Sequence, residues 1–141
     1  MNDSKNIQLK DIAEIIMGQS PLGESCNFSE NGLPLLNGPN EFGLHHPSPV
    51  QYTTDPKKLS EEGDLLFCVR GSTTGRMNWS NKKYAIGRGL AAIRSIEKKK
   101  YSSYIKGCLE VSLPNLLMAA TGSTFLSISR NQLESIPIIL P

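Results

Sequence analysis

Two arginines bracket a run of glycine, serine and threonine in the segment 70–76, RGSTTGR. Glycine-flanked hydroxyls and free backbone N–H groups can hold a phosphate, and an arginine can bind a phosphate or the edge of a guanine. The segment lacks the Lys-Ser/Thr ending of a nucleotide-binding P-loop. It therefore indicates either a contact with nucleic acid or a polar loop whose hydroxyls bond their own backbone.

The surrounding stretch 65–96 concentrates positive charge. It holds six of the fifteen Lys and Arg residues and none of the thirteen Asp and Glu, although the formal net charge of the chain is only +2. Such a stretch on a nearly neutral protein indicates a polyanionic partner, with nucleic acid the leading candidate. The alternative is a protein-interaction module that docks an acidic partner surface through the same basic face.

Amide, aromatic and cationic groups follow the arginine-bracketed segment, and these types read bases and contact phosphates. We expect Trp79 to pack in the fold rather than to stack on a base. The cationic residues are predicted to contact phosphate or guanine, and the polar ones to position the DNA or contact its bases. The predicted DNA-binding residues are Arg70, Arg76, Lys82, Lys83 and Arg88 among the cationic ones, and Ser72, Thr73, Asn78 and Asn81 among the polar ones.

Other motifs have weaker chemical meaning. The tract 87–92, GRGLAA, matches a dinucleotide-binding pattern, but a short β-prone run and three lysines follow it instead of a long helix. We interpret it as a glycine turn, and a small nucleotide-binding hydrolase is the third alternative. The adjacent His45 and His46 lack a metal-ligand spacing and are assigned to a loop. Turn formation is likewise the expected role of Asn37, Asn40 and Glu41.

The sequence contains no catalytic constellation. There is no G-x-S-x-G elbow, no metal-binding histidine pair on a helix and no distinctive pair of carboxylates. Three cysteines, about 40 residues apart, fit neither a disulfide framework nor a zinc site, so we expect reduced thiols. We therefore predict a protein that is not an enzyme and binds no cofactor or metal.

The composition is that of a globular protein. With 141 residues, 38% hydrophobic and 20% charged, the chain suits one soluble domain. No apolar run approaches the roughly 20 residues that span a bilayer, and the polar start lacks the apolar core of a secretory signal. We expect a cytoplasmic location and no membrane partner.

Local patterns predict a mixed α+β domain with short, mostly antiparallel strands, long loops and a few short helices. The segment 9–17 is predicted to be a short helix or a strand leading into a helix, ending at Gly18. Two further helices are predicted at 102–111 and 114–121, the second stopped by Gly122. The predicted strands lie near 33–36, 50–52, 65–69, 84–86, 90–96 and 125–128.

The order of several motifs resembles that of a target recognition domain from the specificity subunit of type I restriction-modification systems. The strongest piece is GDLLFCVRGS at 63–72, and the resemblance runs through nearly the whole chain. The other matching pieces are LKDI at 9–12, GQSP at 18–21, LPLLNGPN at 33–40, GRGLAAIR at 87–94, GST at 122–124 and LESIP at 133–137.

The resemblance implies a function. Members of that family are non-catalytic readers that hold methyltransferase and translocase-nuclease subunits on DNA, and each recognition domain reads one half of a split target. The active site and the flipping of the target adenine would belong to the modification subunit. This chain would choose the sequence through loop side chains, with the basic stretch fixing its register on the phosphates.

The resemblance also sets an expectation about domain organisation. An intact specificity subunit looks like two such domains separated by long helices. We expect residues 1–141 to form a single target recognition domain, without the spacer helix and the second domain. The chain is then a half subunit, a truncated product or an isolated domain, and we expect it to be monomeric by itself.

Overall fold

The computed structural model describes residues 7–97, 101–119 and 126–138. Short strands dominate, with three α-helices in the described ranges. The strands are β1 (Ile7–Gln8), β2 (Ala13–Met17), β3 (Cys26–Asn27), β4 (Leu33–Leu36), β5 (Gln51–Thr53), β6 (Leu59–Ser60), β7 (Leu65–Cys68), β8 (Met77–Trp79), β9 (Tyr84–Ile86), β10 (Leu90–Ser95) and β11 (Pro137–Ile138). The helices are α1 (Leu9–Ile12), α2 (Ser102–Ala119) and α3 (Arg130–Glu134).

A four-stranded antiparallel sheet forms the middle of the molecule, in the order β2–β10–β7–β8. Both of its faces are covered. Leu65 and Phe67 point towards the helices, whereas Leu66 and Cys68 point towards a second sheet. Because successive side chains of a strand alternate between faces, a strand buried on both sides must be continuously apolar, which explains the run LLFC.

Helices cover one face of this sheet. Helix α2 turns Ile105, Leu109 and Leu116 towards the core, and Leu133 of α3 joins them. Strand β1 pairs with β11, which brings the first and last described segments together beside the helical layer. No helix in the described ranges is both long and apolar enough to cross a membrane.

The second sheet covers the other face, in the order β3–β5–β4–β9–β6. Its strands pair antiparallel except for β4 and β9, which run parallel. Leu36, Tyr84 and Ile86 fill the space between the two sheets. The expectation of an α+β domain with short, mostly antiparallel strands is confirmed.

Of the segment 9–17, predicted to be a short helix or a strand leading into a helix, only the first four residues are helical. A one-turn helix, α1, comes first and the strand β2 follows it. The second half of the segment alternates between buried and exposed residues, as Ala13, Glu14 and Ile15 show. Pairing with β10 decides the outcome, because it satisfies the backbone groups of Ala13–Met17 as a strand.

The predicted break in the second helical region is wrong. Helix α2 continues through Pro114, which is exposed. Leu109 and Leu116 lie two turns apart on the same face, so one continuous helix buries both. Of the predicted strand 125–128, residues 126–128 form only an isolated bridge between Ser127 and Arg70. Phe125 and the predicted stop at Gly122 lie outside the described residues.

Candidate nucleic-acid interface

The loop between β7 and β8 is held firmly at its base. Gly75 N–H donates to the carbonyl of Cys68 at 2.8 Å, and Cys68 N–H donates to the carbonyl of Arg76 at 2.9 Å. On the other side, Gly71 N–H donates to the carbonyl of Leu126 at 3.0 Å. Gly71 and Gly75 have φ of 87° and 102°, a left-handed conformation that favours glycine. The segment 70–76 therefore forms a loop of defined conformation whose two ends are fixed by backbone hydrogen bonds.

Part of this loop bonds to its own backbone, as one of the two sequence interpretations expects. The Thr74 hydroxyl is buried and donates to the carbonyl of Gly71, and the Cys68 thiol lies 3.7 Å from the Thr73 hydroxyl. Ser72, Thr73 and Arg76 are nevertheless exposed, and Arg70 is half-buried beside Ser127. Some polar groups of the loop thus form hydrogen bonds within it, while other donor groups remain exposed to solvent.

Arg88 lies on a neighbouring turn at the same end of the middle sheet. Strand β10 begins at Leu90, which pairs with Cys68 at the end of β7. The Arg88 side chain is exposed, and its backbone N–H donates to the Ser20 hydroxyl at 3.3 Å. The structure therefore brings Arg88 to the same end of the sheet as the segment 70–76.

Close backbone packing holds this turn in place. A Cβ on Gly18 would lie 2.0 Å from the Gly87 carbonyl oxygen, and one on Gly87 would lie 2.2 Å from Asn37 Oδ1. A Cβ on Gly89 would lie 2.3 Å from the Asn37 carbonyl oxygen. The glycines of the tract 87–92 thus allow close contact with the backbone and side chain of Asn37. The tract leads directly into β10, which agrees with the glycine-turn interpretation.

The two lysines lie at the opposite end of the sheet. Strand β8 runs antiparallel to β7, so Trp79 pairs with Leu65 while Met77 pairs with Phe67. The connection 80–83 therefore leaves from the Leu65 end. Lys82 and Lys83 are exposed there, and the Lys82 ammonium lies 5.8 Å from the centre of the Tyr84 ring.

Asn81 belongs to the same group as the lysines. Its side chain is exposed and its Oδ1 accepts a hydrogen bond from the Tyr84 hydroxyl. Burial raises the pKa of the Tyr84 hydroxyl, and the nearby Tyr52 adds to the effect. The predicted residues thus form two groups at opposite ends of β8: Arg70, Ser72, Thr73, Arg76 and Arg88 at one end, and Asn81, Lys82 and Lys83 at the other.

Asn78 lies between the two groups and has an internal partner. Its side chain is buried, its Oδ1 accepts from Gly43 N–H at 3.3 Å and its Nδ2 donates to the Gly43 carbonyl at 3.1 Å. Both ends of the amide are therefore used in holding another loop, and we leave Asn78 out of the proposed DNA contacts. The predicted packing role of Trp79 is confirmed, because it is half-buried against the helix-side core.

One cation of the stretch 65–96, which contains no Asp or Glu and is called the acid-free stretch below, is neutralised by residues outside it. Arg94 donates from Nε to Asp64 Oδ1 at 2.9 Å and from an Nη to Asp64 Oδ2 at 2.8 Å. This pairing raises the pKa of the Arg94 guanidinium, and Glu61 and Glu14 lie 3.7 Å from it. The net positive charge around the stretch 65–96 is therefore smaller in the folded protein than its sequence suggests, because acidic residues from outside the stretch surround Arg94.

Glu41 lies in the loop that follows β4. Its Oε1 is buried and has no hydrogen-bond partner among the described residues, and burial raises the pKa of this carboxyl above its ordinary value. A raised pKa means that the folded state binds the proton more tightly than the unfolded state. Glu41 therefore favours folding at low pH and disfavours it progressively as the pH rises through that pKa.

His45 and His46 lie in an exposed loop, as expected, with ring centres 6.3 Å apart. Across residues 7–97, 101–119 and 126–138, no cluster of three or more His, Cys, Asp and Glu side chains could hold a metal ion. The three cysteines are free thiols, with Cys68 buried and Cys26 and Cys108 half-buried.

A family model described as "Type I restriction modification DNA specificity domain" matches residues 1–141. The chain belongs to this type I restriction-modification DNA specificity domain family. Among curated proteins, the specificity domain is 40% identical over 128 residues to a putative type I restriction enzyme MjaX specificity subunit of Methanocaldococcus jannaschii, covering 91% of this chain and 30% of that protein.

Solved structures agree with this assignment. The specificity domain superposes with a TM-score of 0.77 at 31% identity on the HsdS subunit of Thermoanaerobacter tengcongensis, covering 95% of this chain and 33% of that one. A chain from a study of complex assembly and conformational transition in the type I R-M system gives a TM-score of 0.76 at 35% identity, covering 91% and 31%. The specificity domain spans about a third of the length of these relatives.

Proposed function

We propose that this specificity domain reads a DNA sequence, as one half of a bipartite target, for a type I restriction-modification complex in the cytoplasm. It catalyses no reaction itself. The observation that carries the proposal is the placement of exposed cationic side chains at both ends of one strand, β8, on loops held by backbone hydrogen bonds. Membership of a family of DNA specificity domains supports the same function.

The separation of the two cationic groups suits a DNA groove. Asn81 lies five positions after Arg76, a span of at most about 17 Å at ~3.3 Å per residue of extended chain. The major groove of B-DNA is about 12 Å wide. Arg76 and Arg88 are therefore proposed to contact phosphates on one side of the groove, and Lys82 and Lys83 phosphates on the other.

The polar residues beside these cations would supply base contacts. Ser72 and Thr73 are exposed on the arginine-bracketed loop, where a short hydroxyl can approach a base edge or a phosphate. Asn81 can donate through its amide nitrogen while its oxygen accepts from Tyr84. Arg70 is proposed as a phosphate or guanine contact at the same end.

The reacting groups would be in other subunits. One of the similar solved chains comes from work on the assembly of a type I R-M complex, and we propose the same setting for this chain, with modification and restriction subunits as partners. Flipping of the target base, transfer of the methyl group and cleavage would be their work. This domain would contribute the choice of sequence.

Selection from a randomised duplex library at low salt, followed by sequencing, tests the function directly. We expect enrichment of one short motif, because base contacts discriminate while phosphate contacts do not. Binding that is strong and salt-dependent but selects no motif would place specificity in the full complex. An absence of binding at low salt would contradict the proposal and favour the protein-interaction alternative.

Replacement of Lys82 and Lys83 by alanine should flatten the salt dependence of DNA binding. Each lost phosphate contact lowers the slope of log K against log salt by about 0.9, so the double variant should lose about 1.8. The matched control is a double alanine variant of Lys57 and Lys106, which are paired with Asp55 and Glu110. An unchanged slope in the K82A/K83A variant would remove both lysines from the phosphate contacts.

A further inference from the structure

The loop 43–46 runs along the outer edge of β8 between the two cationic groups. Strand β8 is the last strand of the middle sheet, so among the described residues no further strand of that sheet pairs with its outer edge. The Asn78 side chain bonds both backbone groups of Gly43, and Trp79 N–H donates to the His45 carbonyl at 2.9 Å. Gly43 therefore lies beside Asn78 and His45 beside Trp79, so the loop and β8 run in the same direction.

The tip of this loop is exposed and chemically distinctive. Leu44 is 91% exposed, and His45 and His46 are exposed beside it. At its far end the loop reaches the lysine group, because His46 and Asn81 line the same shallow depression, together with Glu62. At its near end, Gly43 is bonded to Asn78, two residues after Arg76.

The geometry points to Leu44, His45 and His46 as a second set of sequence-reading residues, which enter the groove whose two sides the cationic groups hold. This inference rests on the proposed function and deepens it. An apolar tip suits the methyl group of thymine, and imidazole nitrogens can donate to or accept from base edges. Asn78 acts as a positioning residue that fixes the loop on β8.

Charge complementarity selects DNA as the occupant of this edge. Arg76 precedes β8, Lys82 and Lys83 follow it, and all three are exposed. Glu62 is the acidic side chain that shares the depression with His46. An apolar tip between cations is a poor match for a basic protein surface and a good match for bases between two rows of phosphates.

The test compares the motif selected by the wild-type chain with those selected by the Leu44→Ala and H45A/H46A variants. We expect each variant to lose at least about fivefold of the preference at one or two base-pair positions, with the preference at other positions retained. The Phe28→Ala variant is the matched control. Phe28 is also an exposed apolar residue, 79% exposed, on a loop held by an asparagine side chain, that of Asn27.

Asn78→Ala tests the positioning role and should relax the same positions as Leu44→Ala. Because Asn78 is buried, the surface variants keep the inference falsifiable if this variant unfolds. If the wild-type chain selects a motif and the Leu44 and histidine variants select it with equal preference, the loop does not read DNA, although the proposed function stands. If the wild-type chain binds duplexes but selects no motif, the inference is overturned for this domain, and specificity would belong to the full complex.

Amide chemical shifts give an independent readout. Addition of a duplex to the labelled chain should shift the signals of Gly43–His46 together with those of Ser72–Arg76. Shifts confined to the arginine-bracketed loop and the lysines would overturn the inference while leaving the proposed function intact.

Discussion

Replacing Asp64 by alanine is expected to lower the free energy of unfolding by about 3 kcal/mol, measured by urea denaturation. The Asp64 side chain is 2% exposed, and its carboxylate accepts two hydrogen bonds from Arg94 and a third from Glu61 N–H at 2.9 Å. Its removal leaves a guanidinium without its main partner. Because the Arg94 side chain is 29% exposed, the loss should be at the lower end of the range of about 3–5 kcal/mol for broken buried pairs.

Glu14→Gln is the matched control for the Asp64 variant. The Glu14 carboxylate also faces Arg94, but its closest oxygen is 3.7 Å away and its side chain is 60% exposed. We expect a change within about 0.5 kcal/mol, as for other exposed pairs. An Asp64→Ala variant within about 1 kcal/mol of the wild type would show that water replaces the lost carboxylate.

Replacing Gly18 by alanine is expected to cost about 3 kcal/mol of unfolding free energy and to weaken DNA binding as well. The new methyl group would lie 2.0 Å from the Gly87 carbonyl oxygen and 2.7 Å from that of Leu90. Backbone must move, because neither contact is with a flexible side chain, and overpacking of this kind costs about 1–3 kcal/mol or more. The displaced segment is the turn that carries Arg88.

The control for the glycine variant is Gly23→Ala. A Cβ at Gly23 would meet no atom within 4 Å, and this glycine does not have a positive φ. We expect its stability to remain within about 0.5 kcal/mol of the wild type. If Gly18→Ala unfolds at the same urea concentration as Gly23→Ala, Gly18 is not closely packed against the backbone of Gly87 and Leu90 in solution.

Local sequence patterns were enough to predict the class of the fold and several of its strands. The run 65–69 predicts β7 because a strand covered on both faces must be apolar throughout, and the strands Leu33–Leu36 and Tyr84–Ile86 follow from the same local chemistry. The order of short motifs also indicated the family to which the chain belongs. The strands can be predicted because they depend on neighbouring residues, and the family because its motifs keep their order along the chain.

Contacts between distant segments set where the predicted site residues lie. The acid-free stretch reads as one basic region, but the antiparallel turn from β7 to β8 sends its arginines and lysines to opposite ends of a sheet. Arg94 is neutralised by Asp64, which is 30 residues away in sequence. The bonds between Asn78 and Gly43 span 35 residues, and they use a side chain that the sequence predicts to position DNA or contact its bases in holding another loop. Such contacts carry no local sequence signal, so only the folded chain reveals them.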